Sequence, residues 1–68
     1  MVWFVIEMQG NGNTGAVVPF SYNDELQAEA KYHTLLAAAA LSAVPVHTVM
    51  LVRADGFVVK SESYEHGN

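Results

Sequence analysis

The sequence predicts an α+β domain: a β-β-α-β-β chain forming a four-stranded antiparallel sheet of order 2-1-3-4, with one helix on one face. Three observations predict it. Four runs rich in β-branched and aromatic residues fall into two pairs, each joined by a short Gly/Asn/Asp-bearing turn. Between the pairs lies one uninterrupted helical pattern, Asn23 to Val44, closed by Pro45. Pro19, which cannot donate to a ladder, sends the second strand to an edge, so the first and third strands take the centre.

The first strand is expected over Val2 to Gln9. Alternation places Val2, Phe4, Ile6 and Met8 on one face and Trp3, Val5, Glu7 and Gln9 on the other. The first set is uniformly apolar and is expected to face the helix. The second set, with Val49 and Leu51, would then leave the opposite face partly apolar. Gly10–Gly15 is a loop, and Ala16 to Tyr22 the returning strand. Asn23 is the expected N-cap, with Ser21 and Asp24 offering a cap one turn earlier; Asp24 and Glu25 suit the helix dipole. The helix should end near Ala43, because Pro45 cannot continue it and disfavours a helical Val44. Val46 to Arg53 is the third strand, Ala54-Asp55-Gly56 a hairpin turn, and Phe57 to Tyr64 the last strand. The tail from Glu65 to Asn68 is expected to fray.

Sixty-eight residues make one domain, spanning 1–68, and a chain this short buries only roughly 60% of its unfolded surface. Small domains supplement such a core with disulfides, metals or oligomerisation. Cysteine is absent, while hydrophobic residues make up 51% and charged residues 15%. Assembly is therefore the expected supplement, as a homodimer or tetramer. The formal net charge of −4, with only Lys31, Arg53 and Lys60 as cations, argues against binding a phosphate backbone. The longest apolar run, Leu35–Leu41, falls well short of the ~20 residues of a spanning helix. The opening MVWFVIEMQG lacks a basic region ahead of its apolar run, so a cytoplasmic location is expected.

Placing the helix at 100° steps separates two apolar stripes. Leu26, Ala30, His33, Ala37, Ala40, Leu41 and Val44 form one; Tyr32, Leu36, Ala39 and Ala43 form a second beside it. One sheet covers one stripe. Tyr32, Leu36, Ala39 and Ala43 are accordingly expected to form an oligomer interface, with the uncovered sheet face as the other surface available to it.

The run AEAKYHTLLAAAALSAVPVHTVML followed by ADGFVVKSESYEH resembles a group of short proteins encoded by bacterial phages and prophages. The shared pattern is A-E-x-K-[YF]-H at Ala28 to His33, an alanine-rich helix at Ala37 to Ala40, V-x-[IV]-H at Val44 to His47, and K-S-E-x-Y-x-H at Lys60 to His66. The match spans about the last two-thirds of the chain. It implies a phage setting and carries no catalytic residues with it.

Chemistry-bearing residues are sparse. His33, His47 and His66 lie on three different segments and lack the local spacing of metal ligands, so no metal is expected. Ser21, Ser42, Ser61 and Ser63 lack a nucleophile elbow, and Glu7, Glu62 and Glu65 read as solvated strand residues. GNGNTG lacks the lysine of a phosphate-binding loop and precedes a strand, leaving only its backbone N–H groups for an anion. Trp3, His47, Arg53, Lys60 and Tyr64 are the candidate ligand-binding set, because cations beside aromatic faces suit a phosphate and a base. The expected protein is non-enzymatic and needs no cofactor. It is a phage accessory protein, for counter-defence, that sequesters a nucleotide-like host signal or blocks a host protein. The alternatives are a structural or morphogenetic component and, more distantly, a small hydrolase using histidine and glutamate.

Overall fold

The computed structural model describes residues 1–11 and 13–66. Gly12 of the GNGNTG loop, and Gly67 and Asn68 of the tail expected to fray, lie outside the described residues. The elements are β1 (Trp3–Gly10), β2 (Gly15–Tyr22), α1 (Glu25–Ala40), β3 (Val46–Arg53) and β4 (Val58–Glu65). The sheet has four strands in the order β2-β1-β3-β4, antiparallel throughout, with the helix on one face. Pro19 sits on the outer strand β2, where a missing N–H is tolerated.

Turn chemistry sets both hairpins. Asn11 Oδ1 accepts from the N–H groups of Asn13 and Thr14, at 3.0 and 2.9 Å, and clamps the first loop from within. Those N–H groups, expected to be open to an anion, are thereby occupied. In the second hairpin Gly56 takes φ +89°, and the Arg53 carbonyl accepts from its N–H at 2.8 Å. The β3–β4 register shifts by one residue at Leu51/Val52, a bulge that turns Val59 onto the core.

The helix is shorter than expected at both ends. Asp24, not Asn23, is the N-cap; it is extended, and its carboxylate accepts from the Leu26 N–H at 3.0 Å. An ionised acceptor at the positive end of the dipole outcompetes a neutral amide. At the far end Leu41 and Ser42 fall back to three-residue bonds on the Ala38 and Ala39 carbonyls. Ser42 Oγ then accepts from the Val44 N–H at 3.0 Å. This serine turn releases the chain before Pro45 forces it out.

The faces are exchanged relative to expectation, on the helix and on the sheet alike. Ala28, Tyr32 and Ala39 are buried, with Leu35 and Leu36 packed beside them. The stripe expected to meet another copy therefore lies, for Tyr32, Leu36 and Ala39, inside the chain's own core, while Ala43 is exposed beyond the helix end. The stripe expected to meet the sheet faces outward: Leu26 is 73% and Leu41 90% exposed. On β1 it is Val5, with Trp3, that joins Val49 and Leu51 beneath the helix, rather than Phe4, Ile6 and Met8. Bulk explains both reversals. An alanine-rich helix fills a core poorly by itself, and the sheet face bearing Trp3, Phe20, Tyr22 and Tyr64 supplies the missing volume.

Candidate functional site

The register divides the helix-side residues into two groups. Trp3 pairs with Arg53 at one end of the sheet, and Lys60 lies opposite Leu51 nearby. His47 pairs with Gln9 and Tyr64 at the other end. Six residues of strand separate Arg53 from His47, roughly 20 Å. The five residues expected to share one ligand therefore do not meet within one chain.

The cations at the first end are already engaged. The Arg53 guanidinium donates to both carboxylate oxygens of Asp55 and lies 5.0 Å from the Phe57 ring centre. Hydrogen bonds from Arg53 and from the Phe57 N–H hold the Asp55 carboxyl below its ordinary range, and Asp55 in turn raises Arg53. Lys60 Nζ donates to Glu29 at 3.1 Å, tying β4 to the helix. Neither partner is the Glu62 or Glu65 that proximity on β4 suggests: Asp55 lies two residues from Arg53 in the turn, and Glu29 lies 31 residues from Lys60, beyond the reach of local sequence reading.

At the second end Glu7, expected to be a solvated strand residue, is a correction: it lies beside a buried His47. The side chains of His47 and Glu7 are 5% and 12% exposed, and His47 Nε2 lies 2.7 Å from Glu7 Oε2. An ionised carboxylate only accepts, so Nε2 carries the proton and donates. Nδ1 of the same ring is buried without a hydrogen-bond partner. Beside the pair, the His66 ring stacks on Tyr64 at 6.1 Å, and His66 Nε2 donates to the Ala39 carbonyl at 2.9 Å. That bond adds a second donor to a carbonyl at the helix end that already accepts from the Ser42 N–H. His33 stands apart, exposed on the helix and edge-on to Tyr32 at 5.4 Å. Among the described residues no group of three His, Asp or Glu side chains is placed to hold a metal ion.

The other face of the sheet carries no helix. Alternation and register place Phe4, Ile6 and Met8 of β1, Val17 and Pro19 of β2, and Thr48, Met50 and Val52 of β3 on it. None of these joins the cluster beneath the helix, although Val52 is itself buried, at 8% exposure. Ser61 and Ser63 continue the face on β4, with Thr48 Oγ1 donating to Ser63 Oγ at 3.0 Å. Glu65, at one corner, is the only charged residue on it; Glu7, Arg53, Lys60 and Glu62 all belong to the helix side. Toward the Gly10–Gly15 end the face sinks into a shallow hollow of about 330 Å³, lined by Met8, Gly10, Gly15, Val17, Val46 and Thr48. The two glycines pair across the strands. A Cβ on Gly10 would come within 3.1 Å of the Thr14 carbonyl, and one on Gly15 within 3.2 Å of the Gln9 carbonyl.

No helix is long and apolar enough to cross a membrane among the described residues. No protein-family model, curated protein or solved structure matches the chain.

Proposed function

We propose that this chain is a non-enzymatic interaction protein that works through its bare sheet face, in the accessory role that its resemblance to phage-encoded proteins implies. One observation carries the reading. A lone domain in water gains by turning Phe4, Ile6 and Met8 inward and Glu7 and Gln9 outward. Here Glu7 goes beneath the helix and needs His47 as partner, while the apolar set faces out. Desolvating a carboxylate costs roughly several kcal/mol before its partner offsets it. That inversion suits a working state in which the outward face is covered.

Two further observations support binding over catalysis. The close His–Glu pair among the described residues is enclosed: the Nε2–H is committed to the carboxylate, and the ring's basic nitrogen, Nδ1, is buried where a substrate does not reach it. The cationic and aromatic residues are split between two ends of the sheet, which moves recognition from those five side chains to the bare face.

The reading is tested with 8-anilinonaphthalene-1-sulfonate fluorescence and sedimentation velocity on the purified protein. The expected result is either dye binding at the bare face or concentration-dependent association through it. Met50→Lys, on that face, abolishes whichever is seen; Leu41→Lys, on the exposed helix end, leaves it unchanged. A protein that neither binds dye nor associates at any concentration contradicts the proposal.

A further inference from the structure

We infer that the occupant of the bare sheet face is a second copy of this chain, packed sheet against sheet about a two-fold axis, with the helices on the outside. The inference rests on the bare face being an interaction surface and adds its partner. Charge points to a copy of the same chain. The protein carries a net charge of −4, so two copies meet with least repulsion through a surface poor in carboxylates. The bare face is that surface, with Glu65 alone at a corner, and packing through it leaves the other charges of the strands on the far side of each sheet.

Size agrees. Four strands of eight residues, at ~4.8 Å between strands and ~3.3 Å per residue, give a face of roughly 500 Å². Two such faces bury roughly 1,000 Å² or more together, the lower bound for a specific association. The exposed helix stripe is a poorer candidate. Its two leucines, Leu26 and Leu41, lie at opposite ends, with Ala30, His33 and Ala37 between them.

Shape is self-complementary as well. The hollow beside Gly10 and Gly15 lies at one end of the strands, and Phe4 and Val52 lie at the other end on the same face. A two-fold axis in the plane of the interface, running across the strands, lays the Phe4 end of each copy over the hollow of the other. Every contact then occurs twice, as an isologous interface requires. The axis then passes between the Ile6 and Met8 rows, so Ile6 of each copy faces Met8 of the other, and the two Ile6 side chains lie diagonally beside the axis.

The test uses the full chain. Light scattering on the parent protein at micromolar concentration gives twice the chain mass of 7.4 kDa. Ile6→Lys and Ile6→Glu each weaken self-association at least tenfold, and mixing the two restores a dimer, because the two copies of position 6 are diagonal neighbours across the axis, within reach of a lysine and a glutamate. Thr48→Lys, at a polar position on the same face, serves if either Ile6 variant loses its circular-dichroism signal. A parent that stays monomeric overturns the inference, as does dissociation by Ala37→Lys on the helix but not by Ile6→Lys or Thr48→Lys. The two proposals fail separately. A monomer that binds dye at the bare face, and loses it in Ile6→Lys, excludes a second copy while keeping the face as a docking surface for a different protein. A monomer that binds no dye defeats both.

Discussion

Replacing Glu7 by leucine should destabilise the protein by about 2 kcal/mol, and replacing His47 by leucine as well should recover most of the loss. The pair is nearly dry, at 12% and 5% side-chain exposure, with a 2.7 Å contact. A hydrogen bond to a charged group in such a place contributes about 1.5–3 kcal/mol, and a buried donor left without a partner costs about 1–3 kcal/mol. In Glu7→Leu the Nε2–H is orphaned, and Nδ1 already has no partner, so the imidazole is buried with neither nitrogen bonded. The double variant removes both polar groups, and apolar replacement of a buried pair is close to neutral. Glu7→Gln, whose amide oxygen still accepts from Nε2–H, should fall between parent and Glu7→Leu. A domain of this length has a total stability of roughly 3–10 kcal/mol, so the single variants are readily resolved. Urea unfolding at one fixed protein concentration is the assay, because association would add to the apparent stability. A loss of about 2 kcal/mol moves the midpoint by roughly 1–2 M. A Glu7→Leu variant within about 0.5 kcal/mol of the parent, the range of ordinary surface changes, would refute the reasoning. So would a double variant whose loss equals the sum of the singles, which would mean the two side chains are uncoupled.

Three smaller predictions follow from the turns, the cap and the core. Asp24→Ala should cost about 1 kcal/mol by orphaning the Leu26 N–H, with Asn23→Ala closer to neutral, read from urea midpoints. Gly56→Ala should cost about 1 kcal/mol because φ +89° strains any L side chain, even though no atom lies within 4 Å of the added methyl. Tyr32 concerns alkaline pH. Burial, reinforced by Glu62 and Tyr64 and opposed by Lys60, raises its hydroxyl above the ordinary phenol range. The folded state holds that proton more tightly than the unfolded chain, so the contribution is complete below about pH 10 and is lost as pH rises through the higher folded value. Tyr32→Phe should therefore flatten the fall in stability above about pH 10, measured as urea midpoints from pH 8 to 11; an unchanged slope would remove Tyr32 from the account.

Element order and sheet topology were legible because they rest on local chemistry. Pro19 and Pro45, the Asp55-Gly56 turn and the alternation of β1 and β3 act within a few residues, and each is where the structure puts it. The partners of Glu7, Lys60 and His66 were not legible. They lie 40, 31 and 27 residues away in sequence, and no local rule couples them. Register was the missing step. Once Trp3 is set opposite Arg53, alternation alone places Glu7 and His47 on the same face of neighbouring strands.

Why the helix chose the sheet face that it covers is a question of volume rather than of hydropathy. Both faces of β1 and β3 are apolar enough to be buried, so counting apolar residues favours Phe4, Ile6 and Met8, the set without a charge. The helix breaks the tie. Its second half is mostly alanine, and an alanine surface leaves a gap that only large side chains from below can fill. The face bearing Trp3, Phe20, Tyr22 and Tyr64 can fill it; the face bearing Phe4, Ile6, Met8, Val17 and Met50 has one aromatic ring. That second face is better matched to another sheet packed ~10 Å away, with aliphatic side chains interdigitating between the two. The alanine-rich half of the helix thus acts at one remove: it claims the bulky face of the sheet for the chain's own core and leaves outward the face whose one charge is Glu65 at a corner.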